Sequence, residues 1–191
     1  MNRKASGIII LGYTGTGKTT FAKELARKEL KKGGRVLVVS PDPMEWNSLN
    51  EIEISELRIF NGIAKIVYEK DILQPIFDNF YNGLIIFDDY RVFGITANSK
   101  EGALMLNFLR RKRQFMRDIV FVAHGFTEII PTALYTNATY IVLFETKDNI
   151  NTARNALLNF KAMQHHQTAV NRLTKTEPVK NYMSYHRIIK Q

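Results

Sequence analysis

The sequence contains no cysteine. Disulfide bonds, thiolate nucleophiles and cysteine-ligated zinc are therefore excluded, and a reducing compartment is allowed. Long apolar runs are missing too, the longest being short stretches such as Ile8–Leu11 and Ile141–Phe144. A bilayer span needs about 20 apolar residues, so no membrane span is expected. Arg3 and Lys4 precede a brief apolar run that ends in a glycine-rich loop instead of a small-residue cleavage site. No secretory signal is expected there, and the expected location is cytoplasmic. Acidic residues are scarce at both ends: residues 1–40 hold nine Lys/Arg against two Asp/Glu, and residues 150–191 hold seven against one. The middle, residues 41–149, holds eleven against fifteen, and the net charge is +9. Basic ends point to a polyanionic partner, most simply nucleic acid.

Repeats, low-complexity segments and linkers are also absent. With 191 residues and 45% hydrophobic content, the chain suits one globular domain. The expected core covers about 7–145, followed by a basic helix and tail over 150–191. Gly7–Leu11, Val36–Val39, Leu84–Phe87, Ile119–Ala123 and Thr139–Phe144 are apolar runs of buried-strand character. Between them, the spacing of Phe21, Ala22, Leu25, Ala26 and Leu30 predicts a helix over Lys18–Lys32, stopped by Gly33-Gly34. Further helices are expected over Lys100–Arg113, Glu128–Tyr135 and Ile150–His166, and one from a cap at Asp71 to about Tyr81. Leu57–Phe60, Asn61-Gly62 and Ile63–Tyr68 read as a hairpin. Tyr182–Ile189 reads as an edge strand. Alternating strands and helices give an α/β fold with a mainly parallel sheet flanked by helices.

Gly12-Tyr13-Thr14-Gly15-Thr16-Gly17-Lys18-Thr19 satisfies the phosphate-loop pattern G-x-x-x-x-G-K-[ST] without a mismatch, between a strand and a helix as the motif requires. Glycines let successive backbone amides point at phosphate oxygens, and the helix start adds a positive dipole end. Lys18 is expected to reach the β- and γ-phosphates and Thr19 to place its hydroxyl on Mg²⁺, with Thr20 extending the nucleotide contacts. Leu84–Phe87 ends in Asp88-Asp89. Asp88 is the candidate magnesium support and Asp89 the candidate base for the attacking water. The GTPase patterns D-x-x-G and N-K-x-D are missing, since Thr146-Lys147-Asp148-Asn149 offers only the lysine. The cofactors implied are therefore ATP and Mg²⁺. A strand inserted between the loop strand and the acidic strand would bring its last residue beside the γ-phosphate. Ile119–Ala123 is that candidate, with His124 as sensor. Arg110, Arg111, Lys112, Arg113 and Arg117 offer an arginine finger, a grip on phosphate backbone, or only a solvated helix end.

These residues together resemble the FtsK–HerA superfamily of DNA-pumping ATPases, and especially its small viral genome-packaging members. Besides the loop and Asp88-Asp89, the resemblance rests on Asp42-Pro43-Met44-Glu45-Trp46, similar to a D-P-x-x-E-aromatic segment. It rests also on the run from Arg113 through an apolar strand to His124. It covers roughly residues 7–145. Lys112 stands where glycine is usual, and His124 where glutamine is usual. The resemblance implies a RecA-like ATPase domain with Glu45 near the catalytic centre and Arg113 as the finger. It further implies a homo-oligomeric ring, usually a hexamer, with double-stranded DNA through its centre. Capsid vertex proteins are possible further partners, in the host cytoplasm or virion. Two other readings stay open. One is a small-molecule kinase with residues 110–117 as a lid; the other is a nucleotide-gated assembly protein with little turnover.

Overall fold

In the computed structural model, which describes residues 4–69, 71–176 and 185–191, the apolar runs form one eight-stranded sheet. In chain order the elements are β1 (Gly7–Leu11), α1 (Lys18–Lys31), β2 (Arg35–Ser40), β3 (Asn50–Glu51), β4 (Ile63–Val67), α2 (Leu73–Asn79) and β5 (Gly83–Phe87). They continue with α3 (Lys100–Arg110), β6 (Arg117–Ala123), α4 (Ala133–Asn137), β7 (Tyr140–Leu143), α5 (Phe160–Thr176) and β8 (Arg187–Lys190). The strand order is β3-β4-β2-β5-β6-β1-β7-β8. Every pair is parallel except β7 with β8. The inserted strand expected from the sequence is β6, hydrogen-bonded to β1 on one side and β5 on the other.

Both faces of the sheet are covered, which is why its central strands are apolar throughout instead of alternating. Phe21, Ala22 and Ala26 of α1 pack with Ile10, Val38, Ile86 and Val122 on one face. On the other, Phe77 of α2, Met105 and Phe108 of α3 and Leu134 of α4 pack with Ile9, Leu37, Phe87 and Phe121. All the parallel strands therefore end on the same side, and their C-terminal ends are where such sheets bind ligands.

Several expected elements differ. Residues 57–68 are not a hairpin, because Ile63–Val67 lies between β2 and β3 and runs parallel to both. Leu57 belongs to a 3-10 turn over Ile54–Arg58, closed by a reciprocal capping box between Glu53 and Glu56. Arg35 fastens this segment by donating from Nη1 to the carbonyls of Leu57 and Phe60. Asp71 does not cap α2, whose N-cap is Ile72. The helix of 100–113 ends at Arg110, and residues 111–116 turn back toward β6. The helix expected over 128–135 begins only at Ala133, with Glu128 in a separate 3-10 turn and Ile130–Pro131 cis between them. The helix expected over 150–166 is split. A 3-10 turn at Ile150–Ala153 is capped by Asn149, and α5 starts after Asn159, whose Oδ1 accepts from the Ala162 amide. Asparagine side chains compete for local amides and end one helix while starting the next. The edge strand is Arg187–Lys190, and residues 182–184 of the expected stretch lie outside the described residues.

Candidate functional site

The loop from Gly12 to Thr19 joins β1 to α1 at the C-terminal end of the sheet. Two of its glycines are required by the backbone. A Cβ on Gly12 would fall 2.5 Å from Phe144 Cβ and 2.9 Å from Thr16 Oγ1. Gly17 has φ 95° and ψ 12° at the N-cap of α1, a left-handed conformation that glycine adopts without steric cost. The loop is further closed by Thr16 Oγ1 donating to the Tyr13 carbonyl at 2.7 Å. Tyr13 is held from the β7 side: its amide donates to the Glu145 carbonyl at 2.9 Å, and its hydroxyl accepts from the Lys147 amide at 2.7 Å.

A cleft of about 450 Å³ opens above the loop, lined in part by Lys18, Thr19, Glu45, Asp88, Asp89 and His124, with Thr14, Gly15, Gly17 and Thr20 also on its wall. These residues come from four different chain segments. Lys18 is buried, and its Nζ donates to the Tyr13 carbonyl at 2.8 Å and faces His124 Nδ1 at 3.4 Å. Burial lowers its pKa, while the facing carboxylates of Asp88, Glu128, Asp89 and Glu45 act in the opposite direction. The ammonium has only donors, so His124 Nδ1 accepts from it. The ring hydrogen then sits on Nε2, 3.6 Å from Asp89 Oδ1. The His124 amide donates to Glu128 Oε2 at 2.7 Å, and Glu128 Oε1 stands 3.9 Å from the Arg91 guanidinium.

Asp88 is 2% exposed. Its Oδ2 accepts from Trp46 Nε1 at 2.7 Å and its Oδ1 from the Asp89 amide at 3.1 Å. A carboxylate offers about four lone-pair sites, so these two bonds orient it and leave acceptor capacity facing the cleft. Burial raises its pKa above the ordinary value; the Trp46 bond opposes this and the Asp89 charge adds to it. Glu45 is raised in the same sense, first by burial and then by Asp88, Asp42 and Asp89. Trp46 and Asp89 both hold left-handed backbone, with φ 59° and 50°, and such outliers cost energy that surrounding contacts must offset. Here the strain turns the indole of Trp46 under Asp88 and the carboxylate of Asp89 toward His124.

The oxygen donors of Thr19 and Asp88, both on this cleft, suit a hard cation such as Mg²⁺. Among the described residues no cluster of three or more His, Cys, Asp or Glu is arranged to hold a metal by itself.

A raised carboxyl pKa makes a stability prediction. The folded pKa of Asp88 lies above its ordinary 3.8, so its ionisation costs stability as pH rises through that interval, and the full cost is present at neutral pH. Asp88→Asn should therefore raise the Tm of the nucleotide-free protein at pH 7 by about 2–4 °C. The gain should shrink as pH falls through the raised folded pKa and vanish only well below the ordinary 3.8, where Asp88 is protonated in both the folded and unfolded states, and ATP affinity in magnesium should fall. Thermal melts from about pH 2.5 to 8 check it.

Arg113 is not brought to this cleft. It precedes β6, at whose far end His124 stands, and seven strand residues separate the two ends by roughly 20 Å. Within one copy of the chain it cannot reach a γ-phosphate. The same geometry removes residues 110–117 as a lid over the cleft. Arg117 is structural. It is fully buried, stacked on Phe77, Phe108 and Phe115, and donates to the Phe77 and Phe80 carbonyls. Burial lowers its pKa to about 9.

No protein-family model and no curated protein sequence matches the chain. Solved structures do match. The genome packaging NTPase B204 from Sulfolobus turreted icosahedral virus 2, in complex with AMPPCP, aligns with a TM-score of 0.71 at 12% identity, covering 97% of each chain. B204, the DNA-packaging ATPase from Sulfolobus turreted icosahedral virus, aligns at 0.66 with 14% identity, over 100% of this chain and 98% of that one. VirB4 of Thermoanaerobacter pseudethanolicus aligns at 0.62 with 10% identity, over 87% and 85%. The chain shares the fold of these structures, a mainly parallel sheet flanked by helices. In this RecA-like arrangement β6 between β1 and β5 is what carries His124 to the phosphate loop.

Sequence reasoning missed four contributors. Trp46, which in the sequence is only the neighbour of Glu45, is the indole that fixes Asp88. Glu128 holds the His124 amide. Gln167 and Asn171 of α5 bind the carbonyls of the 146–148 segment, with Asn171 also accepting from the Thr146 amide. That segment in turn holds Tyr13, so α5 braces the phosphate loop from outside. The signal for α5 was its position after the last parallel strand, not any motif.

Proposed function

We propose that this protein hydrolyses ATP to drive double-stranded DNA, as a viral genome-packaging motor of the FtsK–HerA superfamily. The observation that carries the reading is the convergence of Lys18, Asp88, Asp89 and His124 on one cleft above a complete phosphate loop. The whole-length likeness to B204 adds support. The amides of Gly12–Thr19 and the first turn of α1, with Thr20, bind the triphosphate, and Lys18 leaves the Tyr13 carbonyl for the β- and γ-phosphates. Thr19 and Asp88 hold Mg²⁺, which when bound neutralises phosphate charge. Asp89 takes the proton of the attacking water, with Glu45 aiding its position. His124 senses the γ-phosphate through Lys18, whose ammonium leaves His124 Nδ1 when it turns to the phosphates.

Arg113 acts from a neighbouring copy, which requires a ring, a hexamer in this superfamily. Residues 1–191 form one ATPase unit whose basic ends face DNA or capsid vertex proteins, in the host cytoplasm or the virion. No described helix is long and apolar enough to cross a membrane.

The test is ATP turnover with and without double-stranded DNA. The expected result is turnover without any phosphoryl acceptor, rising several-fold on adding DNA. A DNA-independent rate together with phosphorylation of a nucleoside or nucleotide would overturn the motor reading. Binding of ATP with no phosphate release over hours would overturn the hydrolysis itself.

A further inference from the structure

The segment just before β8 has no role in the site so far. β8 runs antiparallel to β7 with Arg187 opposite Leu143, so the next pair outward is His186 opposite Phe144. This places His186 at the phosphate-loop end of the sheet. Facing residues of an antiparallel pair share one face, and here that face is the one covered by α1. The contacts agree. The His186 imidazole stacks on Phe144, with ring centroids 4.9 Å apart and planes 28° apart, and meets Phe21 of α1 edge-on at 5.0 Å.

Both partners touch the phosphate loop. Phe144 is the residue a Cβ on Gly12 would strike, and its amide donates to the Leu11 carbonyl at 2.8 Å. Phe21 follows Thr20, and its amide donates to the Gly17 carbonyl at 2.9 Å. A triphosphate lying in the loop with its γ end at Lys18 and Asp88 sends its other end past Thr20. The residue after Thr20 is Phe21, whose ring packs with Phe144 and His186, so a nucleoside continuing in that direction would meet this group of rings. Around this point the chain offers a ring held in place by two others and half-exposed. A planar, half-exposed ring on a rigid support is what a nucleobase stacks on, and such stacking tolerates several bases because each has a π-face.

We infer that His186 is the stacking platform for the nucleobase, with Phe144 and Phe21 as its rigid backing. The inference rests on the nucleotide reading above and deepens it by assigning the base end of the substrate. A base on this platform ties β8, and so the C-terminal segment, to the occupied state of the loop.

The test compares equilibrium binding of ATP and inorganic tripolyphosphate, both with Mg²⁺, to the full chain. His186→Leu keeps an apolar side chain against Phe21 and Phe144 but removes the ring; His186→Phe keeps the ring. The expected result is that His186→Leu loses roughly tenfold in ATP affinity, leaves tripolyphosphate affinity unchanged, and that His186→Phe stays close to wild type. Unchanged ATP affinity in His186→Leu would overturn the inference. So would an equal loss for both ligands, which is what a merely structural ring gives by disturbing the loop. Lys18→Ala in the same assay separates the two levels. If it leaves ATP and tripolyphosphate binding intact, the nucleotide reading fails; if it weakens both while His186→Leu is silent, only the platform fails.

Discussion

Lys18→Ala should weaken ATP binding by about 30-fold or more and abolish measurable turnover. The ammonium is buried against the carboxylates of Asp88, Asp89, Glu128 and Glu45. Removing it deletes a charge-assisted donor to the phosphates and leaves that acidic wall facing a polyanionic ligand. Truncating one member of a buried, hydrogen-bonded charge pair costs about 2–5 kcal/mol, and each 1.4 kcal/mol is about tenfold in affinity. Lys18 also donates to the Tyr13 carbonyl at 2.8 Å, so the empty loop of the variant loses an internal tie. A modest fall in Tm should accompany the loss of binding. Calorimetric titration with ATP, beside a phosphate-release assay, reads both effects. Near-wild-type affinity in the variant would mean that the triphosphate lies elsewhere.

Asp89→Asn should separate binding from chemistry. Asp89 faces the cleft with its carboxylate 3.6 Å from His124 Nε2, whereas Lys18 is bound to the loop carbonyl and to His124 Nδ1. The variant keeps the loop, Lys18 and Asp88, so ATP affinity should change by less than about threefold. Turnover should fall by about 10²–10⁴, the range for loss of a general base. Asparagine also preserves size and an acceptor oxygen toward His124, which keeps the left-handed turn at residue 89 populated. A parallel loss of affinity and turnover would assign Asp89 to ligand binding instead of catalysis.

How far the site was legible depended on whether its parts are local. The phosphate loop was readable because its function is carried by backbone shape, and backbone shape constrains sequence tightly: Gly12 and Gly17 leave no room or no steric freedom for a side chain. Asp88 and Asp89 were readable because an apolar strand ending in carboxylates is itself a local pattern. The insertion of β6 between β1 and β5 does not follow from the order of apolar runs; it is an expectation tied to placing a polar residue beside the γ-phosphate, and the sheet order agrees with it. Trp46 was illegible as a partner of Asp88, because the two lie 42 residues apart and meet only when β2 and β5 pair. Charge alone could not separate Arg113, which is exposed, from Arg117, which is buried among three phenylalanines. The supposed hairpin failed for a related reason. Asn61-Gly62 can enter either a hairpin or a parallel strand, and the choice is made by the neighbours of β4, not by the turn.

One structure decides the central claim: the full chain crystallised with Mg²⁺ and a non-hydrolysable ATP analogue. The account predicts the γ-phosphate within hydrogen-bond reach of Lys18 Nζ, the cation between that phosphate and the oxygens of Thr19 and Asp88, and Asp89 nearest the site of water attack. An analogue bound outside the cleft, or a cation held without Thr19 and Asp88, would contradict it.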